Sequence, residues 1–554
     1  MRKPLRCFLR AAISLLTLAP MLALAEPCTG LCLQQVTCAN PFNTTRVSGR
    51  VYAPNGADPL PGVLVYVPNA PVEPLPAGAA CRNGGTPPTA PLVQAITEFD
   101  GTFEVKNMPV GTNIPLVIQS GKWRRQIVIP SVAACTTTPI SAAKTRFPKN
   151  HAEGDIPHFA VVTGSLDAAE CIFRKMGIDD AEFSGTSDTG HIQLFTGADD
   201  AGGGYLPGSA SETVLEASST SLNSYDTVIL ACQNAIIDKA PAVQQNLIDY
   251  VNGGGRVMAT HYEYTWLYNI VPFSGTTTWI PQSHPAPVDQ LGYVNQSTPD
   301  GLQLAQWLMA VNASTTQGQI PLKVIRHDFD GVIAPSESWL SINDAVFGNM
   351  SVQYSFDTPI GTAPEDQCGR VQYLDYHVEN VSASSAKAFP QECVAGPMTP
   401  QEKLLEYMVF DLTSELEPPL ILTVDDRREF ARYGNTATYT VTLANHTNKD
   451  LAGGATVTIA LSPGLDAANA TCVGINNDTS TCAPGAPGTL IASATYVGSS
   501  TYTTWVITVP VLPGTPDTTV EVDASTTGAP IAMDVDTLVP FHDSFDVPNA
   551  DGTQ

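Results

Sequence analysis

The sequence predicts a chain of several domains: a β-sandwich, a doubly wound α/β domain, then a second β-sandwich. Three observations carry this expectation. Two regions, one at each end, consist of short alternating strands punctuated by Gly and Pro. Between them, runs of consecutive apolar β-formers alternate with amphipathic helices, the pattern of a parallel sheet covered on both faces. The length, 554 residues, also exceeds what a single hydrophobic core organises.

Residues 1–25 join a basic stretch (Arg2, Lys3, Arg6, Arg10), an apolar run from Ala11 to Leu24 and a small-residue end at Ala23-Leu24-Ala25. This is the three-part plan of a signal peptide, with cleavage expected after Ala25. The apolar run is shorter than the roughly 20 residues that span a bilayer. A soluble secreted or cell-surface chain with no transmembrane anchor is therefore expected. Cleavage removes four basic residues and no acidic one, taking the formal charge from −26 to −30. Nucleic acid, which demands a basic footprint, is excluded as a partner. Residues 26–44 form a Cys-rich segment. In an oxidising destination, local disulfides are expected between Cys368 and Cys393 and between Cys472 and Cys482. The pairing of Cys28, Cys32, Cys38, Cys81 and Cys135 stays open, and an odd total after cleavage leaves at least one thiol unpaired.

Residues 45–135 read as a small β-sandwich: Arg46 to Tyr52, a Pro54-Asn55-Gly56 turn, Val63 to Val67, Thr102 to Val105 and Ile114 to Gln119. The residues Val47-Ser48-Gly49-Arg50-Val51-Tyr52, Pro61-Gly62-Val63 and Phe99-Asp100-Gly101-Thr102-Phe103, ahead of Met108-Pro109-Val110-Gly111, resemble a carboxypeptidase regulatory-like (transthyretin-like) domain. That resemblance implies a sandwich classed with carbohydrate-binding-like folds, and no catalysis. Asp100-Gly101 supplies a tight turn, after which Phe103 enters the sandwich. Residues 136–154 read as a linker.

Residues 155–412 carry the α/β pattern. Phe159 to Gly164, Thr227 to Leu230 and Arg256 to Thr260 are buried-strand runs, with helices expected over Asp167 to Met176, Pro241 to Val251 and Thr399 to Phe410. The flavodoxin-like expectation rests on this alternation. Tyr225-Asp226-Thr227-Val228-Ile229-Leu230, then Tyr250-Val251-Asn252-Gly253-Gly254-Gly255-Arg256-Val257, His261, and Gly369-Arg370-Val371-Gln372-Tyr373 with His377 resemble the ThuA-like branch of the class I glutamine amidotransferase-like fold. The amidotransferase motif, a cysteine at a glycine-rich elbow, is absent, and Thr260-His261-Tyr262 stands in its place. From Cys28 to Leu412 the chain also resembles exported proteins of Gram-negative bacteria.

Residues 413–540 return to short Thr/Val-rich strands: Leu420 to Val424, Ala437 to Leu443, Thr456 to Leu461, Trp505 to Val511 and Thr518 to Val522. Their spacing predicts an immunoglobulin-like sandwich, similar to repeated domains of bacterial surface proteins. Residues 541–554 read as a disordered tail.

The candidate site is a repeated His-x-Glu, His261-Tyr262-Glu263 and His377-Val378-Glu379, with Asp375 two residues before the second His. Each follows a predicted parallel strand, and the carboxyl ends of such strands are where doubly wound sheets bind ligands. Residues two apart on a strand share a face, so each pair is expected to act together. Imidazoles and carboxylates there would serve as acid and base, or hold a divalent metal through His261 and His377. No other cofactor is expected. The Thr163-Gly164-Ser165 turn is read as structural rather than anion-binding, and the aromatic segment Tyr262, Tyr264, Trp266, Tyr268, Phe273 and Trp279 as packing rather than a sugar platform. The acidic clusters Asp199-Asp200 and Asp328-Phe329-Asp330-Gly331 lack calcium-loop spacing and read as solvated turns. Cys232 in Leu230-Ala231-Cys232-Gln233 stands at a strand end where a nucleophile could sit, but without a sequence-level elbow it reads as a buried thiol or a partner for Cys171.

Two classes of function follow. One is a non-enzymatic binding protein whose partner is an extracellular glycan or surface protein. The alternative is a secreted hydrolase of a carbohydrate or ester that uses His261, Glu263, Asp375, His377 and Glu379. Convergence of the two His-x-Glu pairs in one cleft would separate them.

Overall fold

The computed structural model describes residues 30–539 except 40–43, 82–90, 186–189, 198–202, 282–286, 363–365, 378–386, 415–419, 427–429, 446–450, 452–453, 476–479, 499–500, 514–518 and 527–531. The signal segment and the C-terminal tail lie outside these residues.

The largest element is a ten-stranded sheet. Its strands are β1 (Phe159–Thr163), β2 (Phe183–Ser184), β3 (Ile192–Thr196), β4 (Thr227–Leu230), β5 (Arg256–Thr260), β6 (Gln290–Val294), β7 (Gln319–Leu322), β8 (Glu337–Asp344), β9 (Gly348–Thr358) and β10 (Gly369–Leu374), in the spatial order β7-β6-β8-β9-β10-β5-β4-β1-β3-β2. From β10 to β2 every pairing is parallel. The other four strands extend the sheet by antiparallel pairing.

β1, β4 and β5 are buried at every position. Because side chains alternate across a strand, they feed two cores. Val161, Ile229 and Met258 point to one, with α1 (Ala169–Lys175), α3 (Pro299–Ala310) and α4 (Pro400–Thr413). Val162, Val228, Leu230 and Val257 point to the other, with Leu247, Tyr250 and Val251 of α2 (Pro241–Asn252). α4 begins with a reciprocal Thr399/Glu402 capping box and Pro400 in its first turn. α2 ends at Gly253 and Gly254, the latter at φ +108°, a backbone conformation that L side chains rarely adopt.

The first core does not stop at the sheet. It continues into the N-terminal sandwich, where Val47, Val65, Phe103, Leu116 and Ile118 are buried. That sandwich pairs a three-stranded sheet, with Arg46–Arg50 between Thr102–Val105 and Thr137–Pro139, with a four-stranded one of Pro91–Ile96, Leu64–Pro68, Gly111–Ser120 and Trp123–Val132. The Asp100-Gly101 turn forms as expected, with Gly101 at φ +79° and Asp100 Oδ1 accepting from the Thr102 backbone N–H at 3.0 Å. Trp123 joins the two bodies. Its ring packs on Phe147, Phe159 and Phe410, and its Nε1 donates to Thr413 Oγ1 at 3.0 Å. The stretch expected to be a linker is thus partly built in: Thr137–Pro139 pairs with the first strand, and Thr145 and Phe147 are fully buried.

The C-terminal region has its own core of Tyr439, Val441, Val457, Ile459, Trp505, Ile507 and Val520. Two sheets enclose it. One holds Leu420–Asp425, Thr436–Asn445, Thr501–Pro510 and Thr471–Gly474, and the other has Ala455–Leu461 and Thr519–Ser525 at its centre. Arg46 and Lys106 of the N-terminal sandwich pair with Glu521, and Lys106 also with Asp523 at 2.6 Å.

Disulfides join Cys38 to Cys135, Cys81 to Cys368, Cys171 to Cys393 and Cys472 to Cys482. The Cys472–Cys482 expectation holds, and this bond links the two C-terminal sheets. The Cys368–Cys393 expectation does not. Cys368 precedes β10 at the amino end of the parallel strands, whereas Cys393 meets Cys171 of α1 near their carboxyl ends. The strand between them, at roughly 3.3 Å per residue, separates them by about 20 Å. Cys232 is a buried free thiol, not a partner of Cys171. Among the described residues no helix is long and apolar enough to cross a membrane.

Candidate functional site

Three neighbouring parallel strands, β4, β5 and β10, end side by side, and the chain places one chemistry-bearing residue just past each end. These are Cys232 after β4, His261 after β5 and His377 after β10. All are buried, with exposures of 0, 4 and 2 %. The Cys232 Sγ lies 3.2 Å from His261 Nδ1, and the two imidazole centroids are 4.8 Å apart. One ligand atom from each of the three residues lies within 4.8 Å of the others.

Backbone geometry creates the convergence. Gly164, at the end of β1, lies so close to β4 that a Cβ there would sit 2.0 Å from the Cys232 carbonyl oxygen. His261 takes φ +43°, rare for a non-glycine residue, and turns the chain from β5 into a 3₁₀ helix, His261–Trp266. Thr260 Oγ1 accepts from the Cys232 backbone N–H at 3.0 Å and donates to the buried Asp167 at 2.6 Å. Tyr373 of β10 donates to the His261 carbonyl at 2.7 Å.

The second nitrogen of each imidazole is held from behind. His261 Nε2 faces Asp328 Oδ2 at 3.7 Å. His377 Nδ1 faces the Leu166 carbonyl at 3.1 Å. A carbonyl only accepts, so Nδ1 of His377 carries the proton and its Nε2 carries the lone pair. By the same logic, a proton on His261 Nε2 toward Asp328 leaves Nδ1 as the lone-pair nitrogen facing the thiol. Asp375 stands behind this layer, with Oδ2 accepting from the Asp328 backbone N–H at 2.6 Å.

Burial keeps the cluster neutral. It pushes the Cys232 thiol well up, and holds His261 down at about 2, with His377 adding to the effect. His377 is also lowered by burial, and Asp375 is raised by burial and then by Asp328.

The two expected His-x-Glu pairs therefore divide. The histidines meet, and Asp375 supports them through Asp328. Glu263 does not join them. In a 3₁₀ helix, with three residues per turn, positions two apart point in different directions, and Glu263 instead accepts from Trp266 Nε1 at 3.1 Å. Burial raises it to about 7, opposed by Lys239. Glu379 lies outside the described residues, as do Asp199 and Asp200. Asp328, read as part of a solvated turn, is 2 % exposed and backs His261. Cys232 was named in the sequence but not as a companion of His261, and Asp167 was not singled out for this cluster. Their shared signal is position: each follows the end of an apolar strand run. Tyr264, Trp266 and Phe273 are buried and pack, as expected of the aromatic segment.

No family profile and no curated protein matches the chain. Among solved structures, a CARDB domain from Pyrococcus furiosus, in complex with di-metal ions, is 13 % identical and covers 22 % of this chain and 89 % of its own, with a TM-score of 0.15. A cohesin module from a Clostridium perfringens family 33 glycoside hydrolase is 7 % identical over 22 % of this chain and 98 % of its own, at 0.17. The collagen-binding subdomain of the Enterococcus faecalis surface protein ACE is 12 % identical over 23 % and 97 %, at 0.16. Overlap this small lends no weight to any reading of the chain.

Proposed function

We propose that this chain is an exported binding protein whose α/β body holds a divalent transition metal at the strand ends, through Cys232 Sγ, His261 Nδ1 and His377 Nε2. The carrying observation is that three donor atoms gather within 4.8 Å, while Asp328 and the Leu166 carbonyl face the opposite nitrogens of the two imidazoles. Such outer partners orient histidine ligands. One thiolate with two imidazoles suits zinc or copper. A bound cation would reverse the local proton logic, since a coordinating thiol is deprotonated outright. Closure of the cluster fits a metal that organises the body rather than one that meets a substrate. The two flanking sandwiches would then supply the surface for an extracellular glycan or protein, and the disulfides among the described residues suit export into an oxidising compartment.

The line Cys232, His261, Asp328 also has the order of a thiol hydrolase relay. Against that reading stand the burial of all three and the raised thiol.

Metal analysis of the purified full chain, followed by cobalt substitution, tests the proposal. One bound equivalent with a thiolate-to-cobalt charge-transfer band is expected, lost in Cys232→Ser and weakened at least about 100-fold in His377→Ala. Absence of that band in a folded, cobalt-loaded chain would overturn it.

A further inference from the structure

Three of the nine histidines in the chain gather at the opposite, amino end of the same parallel strands. His158 immediately precedes β1 and His191 immediately precedes β3. These strands pair with Phe159 opposite Ile192, so the two histidines are cross-strand neighbours. Their rings meet edge to face at 4.3 Å. His151 comes from the turn before β1, and its ring centroid is 5.3 Å from that of His191.

A single carboxylate organises two of them. Glu182, with 1 % of its side chain exposed, ends a short 3₁₀ helix ahead of β2. Its Oε1 accepts from the His151 backbone N–H at 2.9 Å and faces His151 Nδ1 at 2.7 Å. Its Oε2 accepts from the His191 backbone N–H at 3.3 Å and faces His191 Nδ1 at 2.9 Å. A carboxylate that collects four donors is ionised, so both rings carry their proton on Nδ1. Both Nε2 atoms are then lone-pair donors. Solvent reaches the rings: half of the His151 side chain is exposed, and His191 is 18 % exposed.

This is the outer arrangement of a metal-binding histidine, a carboxylate on one nitrogen and a free lone pair on the other, made twice by one glutamate. Unlike the strand-end cluster, it contains no thiol and is open. We infer a second metal site at this end of the sheet: His151 and His191 bind a borderline divalent cation of the copper(II) or zinc kind through Nε2, with Glu182 as the positioning residue. Imidazole donors without sulfur favour these ions over calcium or magnesium. The site stands independently of the proposal for Cys232, His261 and His377.

The test is equilibrium dialysis of the chelator-stripped full chain against Zn²⁺ alone, with a parallel Cu²⁺ titration followed by electron paramagnetic resonance. The double variant His151→Ala/His191→Ala should lose one equivalent of Zn²⁺, from two to one, or from one to none if the strand-end site binds nothing. The Cu²⁺ signal should lose its nitrogen coupling from this site. Glu182→Gln should keep the stoichiometry and weaken binding roughly 10- to 100-fold. His151→Ala alone, at an exposed ring, keeps the test clear of folding defects and should weaken binding by at least tenfold. Unchanged stoichiometry and affinity in the double variant would overturn the inference, as would a wild-type chain that binds Zn²⁺ only through Cys232.

Discussion

At the scale of the residue, what governs the strand-end cluster is the cost of charge in a dry place. With Cys232 fully covered and its thiol pushed up by burial, the metal-free native protein should not react with a thiol reagent at neutral pH. The Cys232 thiol should react only on unfolding, which a reagent titration with and without denaturant will read. Gly164 tests the geometry. Any Cβ there strikes the Cys232 carbonyl, so Gly164→Ala should destabilise the protein by about 1–3 kcal/mol, measured as a shift of the urea midpoint. His261 and His377 were legible because each follows a run of apolar β-formers, and the rule that ligands gather at strand ends did the rest. Glu263 was misplaced because that rule was joined to strand periodicity one residue too far, where φ +43° at His261 ends the strand. Asp328 was illegible. It arrives just ahead of Phe329–Val332, a strand of a separate two-stranded sheet, and nothing in Asp328-Phe329-Asp330-Gly331 marks it as buried.

At the scale of the element, β1, β4 and β5 were readable because a strand buried on both faces leaves an uninterrupted apolar run. β8 and β9 were not: Glu337–Asp344 and Gly348–Thr358 mix hydroxyl, amide and acidic residues with apolar ones, and they add to the sheet by antiparallel pairing that local composition does not announce. The Cys368–Cys393 expectation failed for the same reason, since partners were sought nearby in sequence, which served only Cys472 and Cys482, ten residues apart. Peptide mapping without reduction should recover Cys81 linked to Cys368 and Cys171 linked to Cys393, and no peptide joining Cys368 to Cys393. The Cys81–Cys368 bond closes a loop of 287 residues. In the chain-entropy account its removal by a Cys81→Ala/Cys368→Ala variant costs up to about 5 kcal/mol, which a denaturation midpoint will register.

At the scale of the whole molecule, carboxylates meet where the two sandwiches approach. Glu98 of the first is pushed up to about 8 by burial and then by Asp425 and Asp534 of the second. Asp534 is itself raised to about 8 by burial and then by Asp536. In the unfolded chain such groups release their protons near pH 4 to 4.5, while the folded form keeps them until about pH 8. The native state therefore binds more protons across that window, and stability must fall as pH rises through it. Thermal midpoints in low salt should be higher at pH 5 than at pH 8, and Asp534→Asn should flatten the difference. Calorimetry should also resolve two transitions, one for the continuous core of the first sandwich and the α/β body, one for the C-terminal sandwich with its separate core. The Trp123 junction adds a matter of timing. Its ring waits for Phe410, and its indole nitrogen for Thr413, 290 residues further along. A ribosome finishes the first sandwich long before it makes the helix that covers it, so that early module must stay soluble with an oily flank uncovered, and any factor that guards the nascent chain has a defined patch to shield until α4 arrives.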